Sequence, residues 1–132
     1  MTVKLFLSIC LCLVCISFTS YNKKRLLEKD QQFIYVLKFT PEFKKAITWT
    51  SKELQIAKEH VSYVKALIDD GKGYVLGRTT NIYDPALFGI VIFDAANIEK
   101  ANESMQNDPL VYNHIMEGTL NAFNIVFINE KN

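Results

Sequence analysis

Hydrophobic positions along this chain change texture from one stretch to the next, and the changes outline the elements. Leu5 to Ile16 (LFLSICLCLVCI) is uncharged and apolar without helical or strand periodicity. Residues 21–32 are polar and read as a flexible lead-in. Phe33 to Phe39 (FIYVLKF) is β-rich with one interior charge, Lys38, and reads as a central strand. Pro41 ends it, because proline cannot donate to a ladder. Thr50-Ser51-Lys52-Glu53 has the spacing of a capping box, and Ala57, Val61, Val64 and Ile68 follow at 4-3-4 spacing, predicting an amphipathic helix. Asp69-Asp70-Gly71 closes that helix, with Gly71 suited to the left-handed position past its end. Tyr74–Ile82 and Leu87–Phe93 (LFGIVIF) predict two strands, and the turn residues 81–85 between them predict a hairpin. Asp94 can cap a second helix over Ala95–Gln106 that groups Ile98, Ala101 and Met105 on one face. Asn107-Asp108-Pro109 restarts the chain as a short helix reaching Glu117, and Gly118 breaks it. Ala122–Ile128 (AFNIVFI) predicts the last strand.

The predicted order is β-α-β-β-α-β, an α+β chain of the ferredoxin-like plan: a four-stranded antiparallel sheet with both helices on one face. The opposite face must then be polar, bind something or meet a second copy. Apolar residues in both registers of the first and third strands favour the second copy.

Composition changes the picture mainly at the N-terminus. Lys4, the apolar run and the small polar residues Ser17, Thr19 and Ser20 have the layout of a signal peptide over residues 1–20. The run is well short of the ~20 residues that a spanning helix needs. An N-terminal element buried in the fold is the alternative. The chain is therefore expected to be exported, to a periplasmic or extracellular location, with no stable membrane span after cleavage. All three cysteines (Cys10, Cys12 and Cys15) lie in that segment, so the domain over residues 33–129 is left without thiols, disulfides or Cys-ligated zinc. Ile9, Leu11 and Val14 precede those cysteines, where lipoprotein processing would want a small residue. Lys4 is the only charge in residues 1–20, so the remainder carries 14 basic and 14 acidic residues and no basic footprint for nucleic acid.

Without cysteine, the groups that can carry chemistry are His60, His114, Asp108, Arg78 and the tyrosines Tyr63, Tyr74, Tyr83 and Tyr112. Spacing puts His60 one step from the apolar stripe, at the border of core and edge, where it can hydrogen-bond to backbone or serve as a general base or acid. Asp108 before Pro109 is a helix N-cap, and a capping carboxylate is also held ready to orient a histidine. Two histidines without a close carboxylate spacing do not make a metal site, and no phosphate loop or nucleophile elbow is present, so neither metal nor cofactor is expected.

These pieces in this order resemble the YciI-like (YCII-related) family: FIYVLKF, EHVSYVKALIDDGK with His60, YVLG ending at Gly77, GIVIF, NDPLVY with Asp108-Pro109, and AFNIVF. The resemblance spans about residues 33–127 and implies a dimeric α+β barrel in which two ferredoxin-like units pair their sheets. It also implies that His60 and Asp108 converge in one cleft as a catalytic pair. The expected activity is cofactor-independent proton transfer on a small molecule, of lyase, isomerase or hydrolase type, with Arg78, Tyr63 or Tyr112 holding the substrate. A non-catalytic dimeric module that binds a small ligand or a partner in the same cleft is the alternative; a haem- or quinone-handling barrel rests on fold analogy alone. The chain departs from the family pattern at Arg78, where many members have proline after the glycine, and in its expected export.

Overall fold

A computed structural model describes residues 30–128. The expected signal peptide and most of the lead-in lie outside the described residues. The elements are β1 (Gln31–Phe39), α1 (Pro41–Lys45), α2 (Ser51–Asp69), β2 (Gly73–Arg78), β3 (Phe88–Ala95), α3 (Ile98–Gln106), α4 (Pro109–Tyr112) and β4 (Met116–Ala122). The strands form one antiparallel sheet in the order β2-β3-β1-β4, as the ferredoxin-like plan requires. No helix among the described residues is long and apolar enough to cross a membrane.

Strand β1 sets the phase of the core. Phe33, Tyr35, Leu37 and Phe39 are buried beneath the helices, while Ile34, Val36 and Lys38 point to the other face. Its neighbours follow in register: Tyr35 lies opposite Val91 of β3 and Leu120 of β4, and Leu37 opposite Gly89 and Gly118. The helix-free face carries Ile34 and Val36 with their partners Ile92 and Ile90, and Val75 of β2 opposite Ile92. On its β4 side this face turns polar, with Glu117, Thr119 and Asn121.

Several expectations are corrected. Strand β1 starts at Gln31, so the last two residues of the expected lead-in belong to the sheet. Pro41 does end β1, but it also opens the short helix α1, capped by the Thr40 hydroxyl. In α2 the capping box of Thr50 and Glu53 is present, yet the inward stripe is Ile56, His60 and Val64. Val61 and Ile68, assigned inward by the 4-3-4 spacing, are 51% and 38% exposed. Strand β2 stops at Arg78 rather than Ile82, and residues 79–87 form a loop back to β3. Asp94 remains in β3, and Asn97 caps α3 with its side chain accepting from the Lys100 N–H.

The largest correction is the last strand. It is Met116–Ala122, not Ala122–Ile128. Met116, Gly118 and Leu120 fall on the core phase opposite Phe39, Leu37 and Tyr35. Gly118 is no breaker: a Cβ there would come within 2.6 Å of Met105 Sδ, so its missing side chain lets α3 press onto the sheet. Residues 123–128 continue beyond the ladder, with Val126 and Phe127 91% and 84% exposed.

Candidate active site

The centre of the site is Asp108, whose side chain is fully buried. It stands where it does because Pro109 starts α4: Asp108 is the N-cap, and its Oδ1 accepts the Leu110 N–H at 3.0 Å. Two side chains complete its shell. The Tyr35 hydroxyl donates to Oδ2 at 2.8 Å, and His60 Nδ1 lies 2.8 Å from Oδ2 and 2.9 Å from Oδ1. Three elements far apart in sequence therefore meet on one carboxylate. Strand β1 contributes Tyr35 by its inward phase, α2 contributes His60 by its inward stripe, and α4 contributes the cap.

The chemistry of each partner follows from that arrangement. Burial, and after it the adjacent carboxylate, push the Tyr35 phenol far above its ordinary pKa, so it stays protonated and donates. An ionised carboxylate only accepts, so facing one His60 carries its proton on Nδ1, and in the neutral ring the lone pair then lies on Nε2. The ring is nearly buried, 8% exposed, and borders a cavity of about 900 Å³. A carboxylate holding one imidazole nitrogen of a histidine that lines a cavity is an arrangement suited to an oriented general base.

The cavity opens at the end of the sheet where β1 and β2 finish and β3 and β4 begin. Leu37, Leu76, Leu110 and Met116 form its inner wall. Leu54, Ala57 and Val61 of α2 also line it, which accounts for apolar side chains on that helix that the core does not bury. Trp49 and Ile82 also line it, and the Trp49 indole N–H donates to the Ile82 carbonyl at 2.9 Å, tying the loop after β2 to the segment before α2.

Of the residues expected from the sequence, His60 and Asp108 are brought together and Arg78 lines the same cavity. Tyr63 and Tyr112 are not among its lining residues. Tyr63 donates to the Ser104 carbonyl at 2.9 Å, and its pKa is raised by burial and then by the Asp108 charge; Tyr112 is 72% exposed. His114 is exposed in the turn between α4 and β4, with φ at 57°, and also stands outside the cavity lining. Tyr74 hydrogen-bonds to Asp94 at 2.5 Å and Tyr83 is 62% exposed.

Tyr35 was not singled out in the sequence. Its signal is its phase: a tyrosine between Phe33 and Leu37 on the buried face of a strand needs an acceptor for its hydroxyl. Tyr35→Phe removes one hydrogen bond to a charged group, and a loss of about 1.5–3 kcal/mol is expected in chemical unfolding. An unchanged unfolding midpoint would show that the phenol adds nothing to the Asp108 shell.

Comparison with known proteins agrees with this architecture. The YCII-related domain pattern matches residues 32–122, and the chain belongs to that family. No match was found among curated proteins. Among solved structures the chain is similar to 5-chloro-2-hydroxyhydroquinone dehydrochlorinase (TftG) from Burkholderia phenoliruptrix AC1100, in complex with 2,5-dihydroxybenzoquinone. The TM-score is 0.53 at 17% identity, covering 70% of this chain and 93% of that one, a likeness of fold.

Proposed function

We propose that this protein is an exported, dimeric, cofactor-independent enzyme that moves a proton on a small cyclic organic molecule, in an elimination, isomerisation or hydrolysis. The observation that supports this reading is the buried Asp108 carboxylate, which fixes one nitrogen of His60 while the ring borders an apolar cavity. In an elimination or isomerisation, His60 Nε2 takes a proton from an O–H or C–H of the substrate; in a hydrolysis it takes one from the water whose oxygen attacks as the leaving group departs. The electron pair released from the substrate expels a leaving group or re-forms as a bond one carbon away, and the imidazolium returns its proton to the product or the leaving group. Asp108 orients the ring and stabilises its charged form, and Arg78 holds the substrate. The dehydrochlorinase of similar fold is named for a reaction of this elimination type on a hydroxylated ring.

Export rests on the signal-peptide layout of residues 1–20, and the dimer on the apolar half of the helix-free sheet face (Ile34, Val36, Val75, Ile90). Sedimentation equilibrium is expected to give twice the chain mass; a monomer at micromolar concentration would contradict the paired sheets. Catalysis is tested by turnover of hydroxylated and chlorinated ring compounds by the intact chain, and by its loss when His60 is replaced. Turnover that survives replacement of His60 removes the proposal.

A further inference from the structure

We infer that the cavity is built for a small cyclic carboxylate, whose anionic group is taken by Arg78 with Lys58 as a second cation. The inference rests on the reading of this cavity as the substrate site and adds the class of substrate.

The charge balance of the walls comes first. No aspartate or glutamate lines the cavity; its charged lining residues are Lys58 and Arg78, with His60 as the other titratable group. The carboxylate nearest to His60, Asp108, is not a lining residue, and its shell is filled by Tyr35, His60 and the Leu110 N–H. Among the described residues the ion pairs are His60–Asp108, Lys65–Asp69 and Lys100–Glu103, so neither Lys58 nor Arg78 is neutralised by a neighbour. Two unpaired cations beside an apolar wall favour a ligand that brings a negative charge and an apolar body.

Arg78 narrows the kind of anion. Its Nη1 donates to the carbonyls of Thr79 at 2.9 Å and Thr80 at 3.1 Å, so the guanidinium is held by its own loop before any ligand arrives. The Nε–H and the outer Nη2–H remain as one complete parallel fork. Such a fork matches the two oxygens of a carboxylate, whereas a phenolate oxygen would use half of it. The apolar part of the ligand would lie against Leu37, Leu76, Leu110 and Met116, within reach of His60. Lys58, exposed on α2, adds a less directed attraction.

Trp49 is the chain's one tryptophan and lines the cavity, so its indole N–H gives a single reporter signal in a proton–nitrogen NMR spectrum. The full chain is titrated with benzoate and with benzamide, which has nearly the same shape and no charge. Benzoate is expected to move the Trp49 signal saturably and to bind at least about tenfold more tightly than benzamide. Arg78→Met is expected to remove that preference. Lys58→Met changes an exposed side chain that holds no structure, and should weaken benzoate by roughly twofold to fivefold. Equal affinities for the two probes, or no response to benzoate in large excess, overturns the inference. His60→Gln separates it from the catalytic proposal: that variant should keep the preference for benzoate while losing turnover. Turnover by a chain with no such preference would remove only the substrate class.

Discussion

Asp108→Ala is expected to cost about 3–5 kcal/mol of folding stability, the largest loss from any single side chain of the site. The carboxylate removed is fully buried and accepts from a phenol, an imidazole and a backbone N–H. Alanine leaves all three donors without a partner inside the protein, and each orphan carries its own desolvation penalty of about 1–3 kcal/mol, offset in part where water enters the gap. It also removes the cap that starts α4 at Pro109. Asp108→Asn keeps the shape and the Oδ1 acceptor facing Leu110. It turns an NH₂ group toward two other donors, so a smaller loss is expected. Urea unfolding of the three proteins gives the order wild type, Asn, Ala, with an unchanged m-value if only the native state is affected. A drop below about 1 kcal/mol for the alanine variant would mean that the carboxylate does not tie β1, α2 and α4 together.

The same residue marks how much of the site can be read from the sequence. Asn-Asp-Pro is a local signal, and both its structural meaning and its place in the chain follow from neighbouring residues alone. The partners of Asp108 are 48 and 73 positions away, and nothing local announces them. His60 was visible as a titratable residue in a helix, but the 4-3-4 stripe drawn through Val61 and Ile68 turned the helix by one residue. The inward stripe runs through Ile56, His60 and Val64 because α2 packs its polar-looking histidine onto a buried carboxylate. Part of the apolar stripe instead borders the cavity, so its hydrophobic side chains are not all spent on the core. Tyr35 was hidden for a simpler reason: within an apolar strand an aromatic residue reads as packing, and only strand phase and the need of a buried hydroxyl for an acceptor distinguish it.

The misplaced last strand has a related cause. AFNIVFI is the most β-like stretch near the C-terminus, yet the ladder needs only alternate apolar positions on an edge strand. MEGTLNA supplies them at Met116, Gly118 and Leu120, with polar residues between, and its glycine is the place where Met105 lands. Hydrophobicity summed along a segment favours the wrong stretch; the register against β1 favours the right one. The strand order was still legible, because antiparallel pairing of β1 with β3 and β4 is fixed by the sequence of elements and not by the exact ends of the last one.

Replacing His60 separates a role in packing from the proposed role in proton transfer. In His60→Gln the amide can still donate toward Asp108, so the shell keeps a partner and the fold is expected to survive, at a cost within the range for one altered buried hydrogen bond, about 1–3 kcal/mol. Glutamine has no titratable nitrogen, and turnover is expected to fall by about a hundredfold to ten-thousandfold, the usual contribution of a positioned general base. His60→Ala loses the same rate and leaves a ring-sized gap between Asp108 and the cavity. Added imidazole can enter that gap from the cavity, donate one nitrogen to Asp108 and present the other to substrate. Rate recovery should then rise with imidazole concentration and saturate, and should not occur in Asp108→Asn, where the base is still present but its orienting charge is gone. A histidine that served only to fill the core would leave turnover intact in the folded glutamine variant. Recovery on adding imidazole to the alanine variant would show in addition that the missing piece is a proton acceptor held at one nitrogen.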